Sequence, residues 1–279
     1  MERFNDVKKQ HYVWEYYLKA WCFEGNKVWC NRDGKIFSAS TENVAQERRF
    51  YEITPLTKDE LGFIEAGIEE YPKENHYVLK LKLKNLIDYS SYNDNTRKNA
   101  MESEYADMEQ RTVAILRSLR DGSMDVLNDD FYKITFSIFL GMQYTRTPKY
   151  RKGRINCLPE GRFQISDNFL FYWNYVFFSD DIGSWISSAK MSLLKKESDI
   201  PFITGDQPVI NIKSDYDNTL AKEFRLYYPI SPKFALLIDG KETFDNPIST
   251  QEVLFYNDKI KQARETLIIG SQKNAIENA

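Results

Sequence analysis

Residues 128–148 read NDDFYKITFSIFLGMQYTRTP, and they predict a mostly apolar helix in the middle of the chain. Apolar side chains dominate from Asn128 to Tyr144. The Thr147-Pro148 pair ends the run, because a residue that precedes proline disfavours the helical conformation. An earlier helix is predicted over Arg97–Leu119, and Asp121-Gly122 stops it. Together the two segments predict a helical centre.

Both ends of the chain carry strand signals. Asp33-Gly34 lies between the apolar runs Lys27–Asn31 and Lys35–Ser38, which is a strong signal for a β-hairpin. After Ile200, short apolar runs punctuated by prolines predict strands, and a closing helix is predicted over Thr250–Thr266. The predicted strands there are Phe202–Thr204, Val209–Lys213, Phe224–Tyr228 and Phe234–Ile238. We therefore expect an α+β fold, with a helical central body flanked by an N-terminal β-hairpin region and a C-terminal small antiparallel sheet.

Two further segments have a less regular pattern. Leucines and lysines alternate over Tyr77–Lys84, which predicts a half-buried strand. Phe169–Lys196 predicts one or two helices that are interrupted near Asp180–Gly183. The polar stretch Asp88–Asn99 is the best candidate for a boundary between an N-terminal β-containing part and a helical centre. We expect a single domain over 1–279, with a hairpin-containing part (1–90), a helical core (91–198) and a β-containing part (199–279).

Composition excludes several classes of protein. The chain has 279 residues, a net charge of −3 and 42% hydrophobic residues, which is ample for a folded core. Its three cysteines form no CxxC pair, which disfavours a disulfide framework or a cysteine-rich zinc site. The charged segment Met1–Gln10 is not a signal peptide, and the apolar run Phe169–Phe178 is too short to span a bilayer. We expect a cytoplasmic protein without a membrane partner.

Two candidate sites lie in the first half of the chain. His11 follows Lys8-Lys9-Gln10, and a histidine can act as a base, an acid or a metal ligand near neutral pH. The alternative is a structural histidine that holds the N-terminal segment.

Glu102 and Glu109 are seven residues apart and share one face of the predicted helix, so they could hold a divalent metal or divide acid and base roles. The alternative is an ordinary solvated acidic face.

Two more candidates follow. Gln143 and Arg146 end the apolar helix on one side, and an arginine offers a planar fork for a carboxylate or a phosphate. The alternative is a buried structural pair of Arg146 with Glu102 or Glu109. Asp206 lies in a Gly-Asp turn after a predicted strand, where it is either a functional carboxylate or a hydrogen-bonding turn residue. No phosphate-binding glycine loop, nucleophile elbow or zinc motif is present.

A basic stretch follows the apolar helix. Between Gly141 and Phe163 there are six basic residues against the single Glu160. Its part from Arg146 to Arg154, which includes Lys149 and Arg151, could bind phosphate or nucleic acid. The alternative is a solvated loop. The six residues are Arg146, Lys149, Arg151, Lys152, Arg154 and Arg162.

These motifs, in this order, resemble a bacterial family catalogued as domain of unknown function number 4238. Members open with Gln-His-Tyr-Val-Pro-Gln-Phe-Tyr-Leu, and here Trp14-Glu15 replaces Pro-Gln. The likeness runs from Lys8 to Ile238. A Ser is usual where Gly205 stands, so that hydroxyl is not an indispensable nucleophile. Further matching segments are Asn43-Val44-Ala45, Phe50-Tyr51, Gln143-Tyr144-Thr145-Arg146-Thr147-Pro148 and Phe202–Val209.

The resemblance implies that the candidate polar residues belong to one recurring pattern and converge on one site. It also implies a place among bacterial accessory or defence genes. The residues in question are His11, Glu102, Glu109, Gln143, Arg146 and Asp206.

Our leading hypothesis is a nuclease-like or other phosphate-ester hydrolase effector. His11 would be a base or ligand, and Arg146, helped by Gln143, would hold a phosphate oxygen. Glu102, Glu109 and Asp206 would be metal ligands or acid–base partners, so a divalent metal is the one cofactor considered. Nucleic acid is the partner that the basic stretch would bind. The rivals are a non-catalytic binding or structural protein with a buried Arg–Glu network, and a nucleotide-dependent group-transfer enzyme.

Overall fold

Helices fill the middle of the chain in this computed structural model. It describes residues 7–92, 94–155, 169–214, 223–244 and 246–277, without the side chains of 152–155. The α-helices are α1 (Glu15–Leu18), α2 (Lys58–Glu70), α3 (His76–Ser91), α4 (Asp94–Arg120), α5 (Asp130–Thr145), α6 (Pro148–Ile155), α7 (Phe169–Trp173), α8 (Ser179–Ser188) and α9 (Thr250–Ala263). The strands are β1 (Lys9–His11), β2 (Lys27–Arg32), β3 (Lys35–Ser40), β4 (Gln46–Arg48), β5 (Lys190–Lys195), β6 (Thr204–Gly205), β7 (Ile210–Asn211), β8 (Arg225–Pro229), β9 (Phe234–Asp239) and β10 (Leu267–Gly270).

The strands form three antiparallel sheets within the described residues. β1 pairs with β4, a second sheet has the order β3-β2-β10-β6, and a third has the order β5-β9-β8-β7. β10 lies between the N-terminal hairpin and β6, so the two ends of the chain share one sheet. The expected α+β fold, in which β structure precedes and follows a helical body along the chain, is confirmed.

Local chemistry explains why the predicted hairpin forms. Asp33 and Gly34 have φ angles of 51° and 81°, and β2 and β3 pair in register from Lys27–Ser40 to Arg32–Lys35. Two successive positive φ angles match the twist of a tight hairpin, and Asp and Gly adopt them at low cost. The hairpin is confirmed.

The two predicted central helices are also confirmed. The Asp129 side chain accepts hydrogen bonds from the backbone N–H of Phe131 and Tyr132, which caps the start of α5. α5 crosses α8 closely at Gly141, where a Cβ atom would lie 2.2 Å from the carbonyl oxygen of Ser179. This close crossing holds the C-terminal end of α5, and with it Arg146, against the rest of the helical body.

The strand predicted over Tyr77–Lys84 is wrong, because this segment is the first half of α3. Leu79, Leu83 and Leu86 are buried there at helical spacing. Leucine and lysine are both good helix formers, so the alternation that is typical of a strand is here carried by residues that also stabilise a helix. The segment forms a helix and not a strand because α3 packs against α2 and α4.

The segment Phe169–Lys196 needs two corrections. Its helical part continues through Asp180–Gly183 to Ser188, and the irregularity is a π-helical turn at Asn174–Phe178. Its end, Lys190–Lys195, is the strand β5, which pairs with β9 along its whole length. Pairing with a distant strand decided this conformation. Among the described residues, none of the helices is both long enough and apolar enough to cross a membrane.

Candidate functional site

Arg146 lies directly after α5 and is almost completely buried, with 2% of its surface exposed. Its Nη2 donates hydrogen bonds to Oε1 of Glu109, at 2.7 Å, and to Oε1 of Gln143, at 2.6 Å. A buried charge needs such a partner, because burial without one is very costly. The Nε atom of Arg146 is buried and has no hydrogen-bond partner among the described residues. One donor of the guanidinium is therefore uncommitted.

Gln143 connects this arginine to the N-terminal motif. Its Nε2 donates a hydrogen bond of 2.9 Å to the carbonyl oxygen of Tyr12, while its Oε1 accepts from Arg146. The neighbouring Gln10 is fully buried, donating to the carbonyl oxygen of Lys98 and accepting from the N–H of Tyr51. The two glutamines thus bind the segment from Gln10 to Tyr12 to α4 and α5.

The two glutamates of α4 approach Arg146 to different degrees. Glu109 pairs with it directly and is mostly buried. Glu102 is partly exposed and makes no hydrogen bond or ion pair with the described residues. Burial raises the pKa of Glu102 to about 7, the charge of Glu109 adds to this, and Arg146 opposes it. Burial also raises the pKa of Glu109, against the pull of Arg146. Glu102 is thus a carboxyl group that titrates near neutral pH.

Two tyrosines complete the surroundings, and our sequence reasoning missed both. The guanidinium carbon of Arg146 lies 5.0 Å from the ring centre of Tyr105, whose ring centre is 4.7 Å from that of Tyr51. Tyr105 is three residues after Glu102 and four before Glu109, so helical spacing was the signal that could have found it. We call Glu102, Tyr105, Glu109, Gln143 and Arg146 the α4–α5 cluster.

His11 lies at the end of β1, and the residue after it, Tyr12, accepts the hydrogen bond of Gln143. Its Nε2 is 3.2 Å from the carbonyl oxygen of Thr41. The pKa of His11 is lowered, chiefly by burial and also by the charge of Arg146, while the hydrogen bond with Thr41 and the charge of Glu15 act in the opposite direction. Because Nε2 must carry the hydrogen to bind a carbonyl oxygen, Nδ1 is the atom that can accept a proton.

The Asp206 carboxylate faces the connection between α9 and β10. It accepts hydrogen bonds from the backbone N–H of Glu265, Thr266 and Leu267 and from the hydroxyl of Thr266, at 2.7 to 3.2 Å. Burial raises its pKa and these hydrogen bonds act in the opposite direction. The adjacent Gln207 accepts a hydrogen bond from Thr147, the residue after Arg146. Asp206 thus holds the α9–β10 loop. It is linked to the cluster only indirectly, because its chain neighbour Gln207 is hydrogen-bonded to Thr147, the chain neighbour of Arg146.

No group of three or more metal-binding side chains comes together in the part of the chain that the structure describes. Glu102, Glu109 and Asp206 therefore do not form a three-ligand metal site there. The Asp206 oxygens are engaged by the α9–β10 loop, and Glu109 is engaged by Arg146.

The basic stretch is only partly described. Lys149 is half-buried, with Nζ 3.3 Å from the carbonyl oxygens of Gln262 and Arg264. Arg151 is also half-buried, and its guanidinium carbon lies 4.6 Å from the ring centre of Phe50. Both contact the protein itself. The side chains of Lys152 and Arg154, and the whole of Arg162, lie outside the described residues.

No curated protein and no solved structure matches the chain. The model of one family, described as "Protein of unknown function (DUF4238)", matches residues 9–168 and 167–274, which together include the hairpin, the α4–α5 cluster and the Asp206 turn. Since this match extends over nearly the whole chain, the protein belongs to that family.

Proposed function

We propose that the protein is a hydrolase that cleaves a phosphate ester at the α4–α5 cluster, with Glu102 as the group that supplies the proton. The observation that carries the proposal is the state of Glu102, which has a pKa of about 7, partial exposure and no partner within the described residues. A catalytic acid is most effective when its pKa lies near the working pH. Nucleic acid is the phosphate ester that we favour as substrate.

The charges of the cluster suit a bound phosphate. Glu109 balances Arg146, and Glu102 is neutral when protonated, so a phosphate does not meet a second negative charge. The Nε of Arg146 is buried, so the O–H of the partly exposed Glu102 is the donor that an incoming phosphate oxygen reaches, and Arg146 contributes its positive charge from behind it. An incoming negative charge stabilises the protonated Glu102, so phosphate binding and protonation favour each other.

The reaction follows from these roles. Water attacks phosphorus and a new O–P bond forms, while the bond between phosphorus and the leaving oxygen breaks. Nδ1 of neutral His11 takes the proton of the attacking water, and Glu102 gives its proton to the leaving oxygen. Arg146 binds the negative charge that develops on the phosphoryl oxygens.

A specific observation favours a second candidate function. Arg146 is buried and already bonded to Glu109 and Gln143, and the Asp206 oxygens are occupied by four donors. In this alternative the cluster is a buried Arg–Glu network that only sets the packing of α4 against α5. The protein is then a binding or structural protein without catalysis.

Activity measurements on Glu102→Gln distinguish the hydrolase from the structural network. The purified wild type and variant are incubated with single-stranded RNA, single- and double-stranded DNA and a chromogenic phosphodiester, between pH 5.5 and 8.5. We expect cleavage by the wild type that declines as the pH rises above about 7, and a loss of roughly 100-fold in the variant. Asp107→Asn is the matched control, because it makes the same chemical change at an exposed position of α4. Equal, background-level release of product by all three proteins would favour the structural network.

A further inference from the structure

The α4–α5 cluster contains one positive charge, and that charge is already balanced. Arg146 is bonded to Glu109 at 2.7 Å, so the pair has no net charge. Among the described residues, the charged groups that act on Glu102 are Glu109, on the same helix, and Arg146, from the end of α5. The cluster is therefore neutral while Glu102 is protonated, and it carries one negative charge after Glu102 ionises.

The side chains around this ion pair add no positive charge to it at neutral pH. Burial raises the pKa of Tyr51 and Tyr105, so both hydroxyls remain uncharged. Burial lowers the pKa of His11 below its ordinary value of 6.5, so this ring gains its charge only at lower pH. The guanidinium of Arg151 also acts on Tyr105, but it lies 4.6 Å from the ring centre of Phe50. It is not among the charges that act on the exposed carboxyl group of the cluster.

We propose that this charge balance selects the substrate, so that the site binds a phosphodiester, with one negative charge, and excludes a phosphomonoester, with two. A single negative charge meets the O–H of Glu102 and the positive charge of Arg146 behind it. The inference rests on the proposed hydrolase function and narrows its substrate class. The linkage that is cleaved is then an internal one of a nucleic-acid strand and not a phosphate group at the end of a strand.

A second negative charge on the ligand has no counterpart in the cluster. The carboxylate of Glu109 is only 15% exposed, and like charges a few ångströms apart repel strongly where water is largely excluded. A phosphomonoester loses its second proton with a pKa of about 6, so it is mostly a dianion above pH 7. A phosphodiester has no second proton to lose and keeps one charge throughout this range.

The same balance determines how the product leaves. Attack of water on a phosphodiester forms one O–P bond and breaks another, which yields an alcohol and a phosphomonoester. The monoester then loses its second proton to the solvent and becomes a dianion, because that proton has a pKa of about 6. The site therefore binds the substrate more tightly than the product, and we expect weak inhibition by the product.

Binding of a diester should also take up a proton. Burial raises the pKa of Glu102 to about 7, so this group is mostly ionised in the free protein at pH 8. The diester binds to the form in which Glu102 is protonated, because the ionised form would place two negative charges side by side. About one proton should therefore be taken up for each diester bound at pH 8, and very little at pH 5.5.

Isothermal titration calorimetry with two ligands that differ by one methyl group tests the selection. The ligands are thymidine 5′-methylphosphate, a diester, and thymidine 5′-phosphate, a monoester. We expect the wild type to bind the diester at least about tenfold more tightly than the monoester at pH 8. Its affinity for the diester should fall by roughly tenfold or more between pH 6.5 and 8.5. Two buffers that differ in ionisation enthalpy give the number of protons taken up.

Two substitutions change the charge of the cluster in opposite ways. Glu102→Gln cannot ionise, so its affinity for the diester should not vary with pH and no proton should be taken up. Glu109→Gln keeps an oxygen that accepts from Arg146 but leaves the positive charge unbalanced, so it should bind the monoester roughly tenfold or more tightly than the wild type does. Asp107→Asn, on the exposed side of α4, is the matched control and should bind both ligands as the wild type does. Thermal unfolding shows whether each variant is folded.

Three results would overturn the inference: equal affinity of the wild type for both ligands at pH 8, a diester affinity that does not vary with pH, or no binding of either ligand. The hydrolase proposal is judged separately, by cleavage. Charge-selective binding with proton uptake, but without cleavage, would reject the hydrolase and leave the selection in place. Cleavage of diesters and monoesters at similar rates would support the hydrolase and reject the selection.

Discussion

The amide of Gln143 donates a hydrogen bond of 2.9 Å to the backbone carbonyl of Tyr12, across 131 residues of sequence. The same side chain accepts a hydrogen bond from Arg146. One buried glutamine therefore joins the N-terminal strand segment, the end of α5 and the cationic centre of the α4–α5 cluster. The geometry of the cluster depends on the packing of the segment around Tyr12.

Replacing this glutamine should destabilise the fold. Gln143→Leu leaves the carbonyl of Tyr12 without its donor and removes one of the two acceptors of Arg146, in a buried setting. We expect a loss of about 2–3 kcal/mol in the free energy of unfolding. Chemical denaturation measures it, with Gln110→Leu on the exposed face of α4 as the matched control. Equal stability of the two variants would show that these hydrogen bonds contribute nothing net.

The pair of Arg146 and Glu109 should behave as a coupled unit. Arg146→Met leaves Glu109 buried without its partner, which should cost about 3–5 kcal/mol at pH 8. Glu109→Gln combined with Arg146→Met should recover part of this loss, because no charge remains. Denaturation of the four proteins gives the coupling energy. A single-variant cost below about 1 kcal/mol would be typical of an exposed pair and would contradict the burial of this one.

Removal of Arg146 should also make stability depend more on pH. Without Arg146, burial alone acts on Glu109, and its pKa rises further above the unfolded value. A group whose folded pKa is raised contributes stability at low pH and loses it as the pH rises. We therefore expect Arg146→Met to be closer in stability to the wild type at pH 5 than at pH 8. An equal difference at both pH values would contradict a charged, buried Glu109.

Glu102 should reduce the stability of the protein as the pH rises through neutrality. Its pKa is about 7 in the folded protein against 4.5 for an ordinary glutamate, so the folded state holds the extra proton between these values. Stability is then full below pH 4.5 and falls up to pH 7, by about 2 kcal/mol after allowance for partial exposure. Glu102→Gln, which cannot ionise, should be more stable than the wild type at pH 8 and similar to it at pH 5. The stability of Asp107→Asn relative to the wild type should be the same at pH 5 and at pH 8.

Asp206 should be a structural residue. Asp206→Ala removes the acceptor of four hydrogen bonds and leaves the N–H groups of the half-buried residues 265 and 266 and of the buried Leu267 without that acceptor. We expect a loss of about 3 kcal/mol, against less than about 0.5 kcal/mol for the exposed control Asp258→Ala. Addition of Mg²⁺ or Mn²⁺ to the wild type should leave its melting temperature unchanged. A metal-dependent rise that Asp206→Ala abolishes would restore the metal-ligand hypothesis for this residue.

Elements with a local cause could be predicted from the sequence. The hairpin depends on Asp33-Gly34, and α5 depends on an apolar run that ends before Pro148, so neighbouring residues contain the necessary information. Helix α3 and strand β5 could not be predicted in this way. Their apolar patterns suit either a helix or a strand, and the choice came from α2 and α4 in one case and from β9 in the other.

The properties of the candidate site likewise fall into those set by local sequence and those set by tertiary contacts. By itself, the sequence determined which polar residues stand on and after the central helices, and that Gln143 and Arg146 share one side, because helical periodicity sets these relations. It left open whether Arg146 pairs with Glu102 or with Glu109. Only the tertiary structure decided that Glu109 is the partner, that burial raises the pKa of Glu102 to about 7 and that Asp206 turns to the α9–β10 loop. Distances and burial across the packed elements control these properties, and both arise when segments far apart in the chain come together.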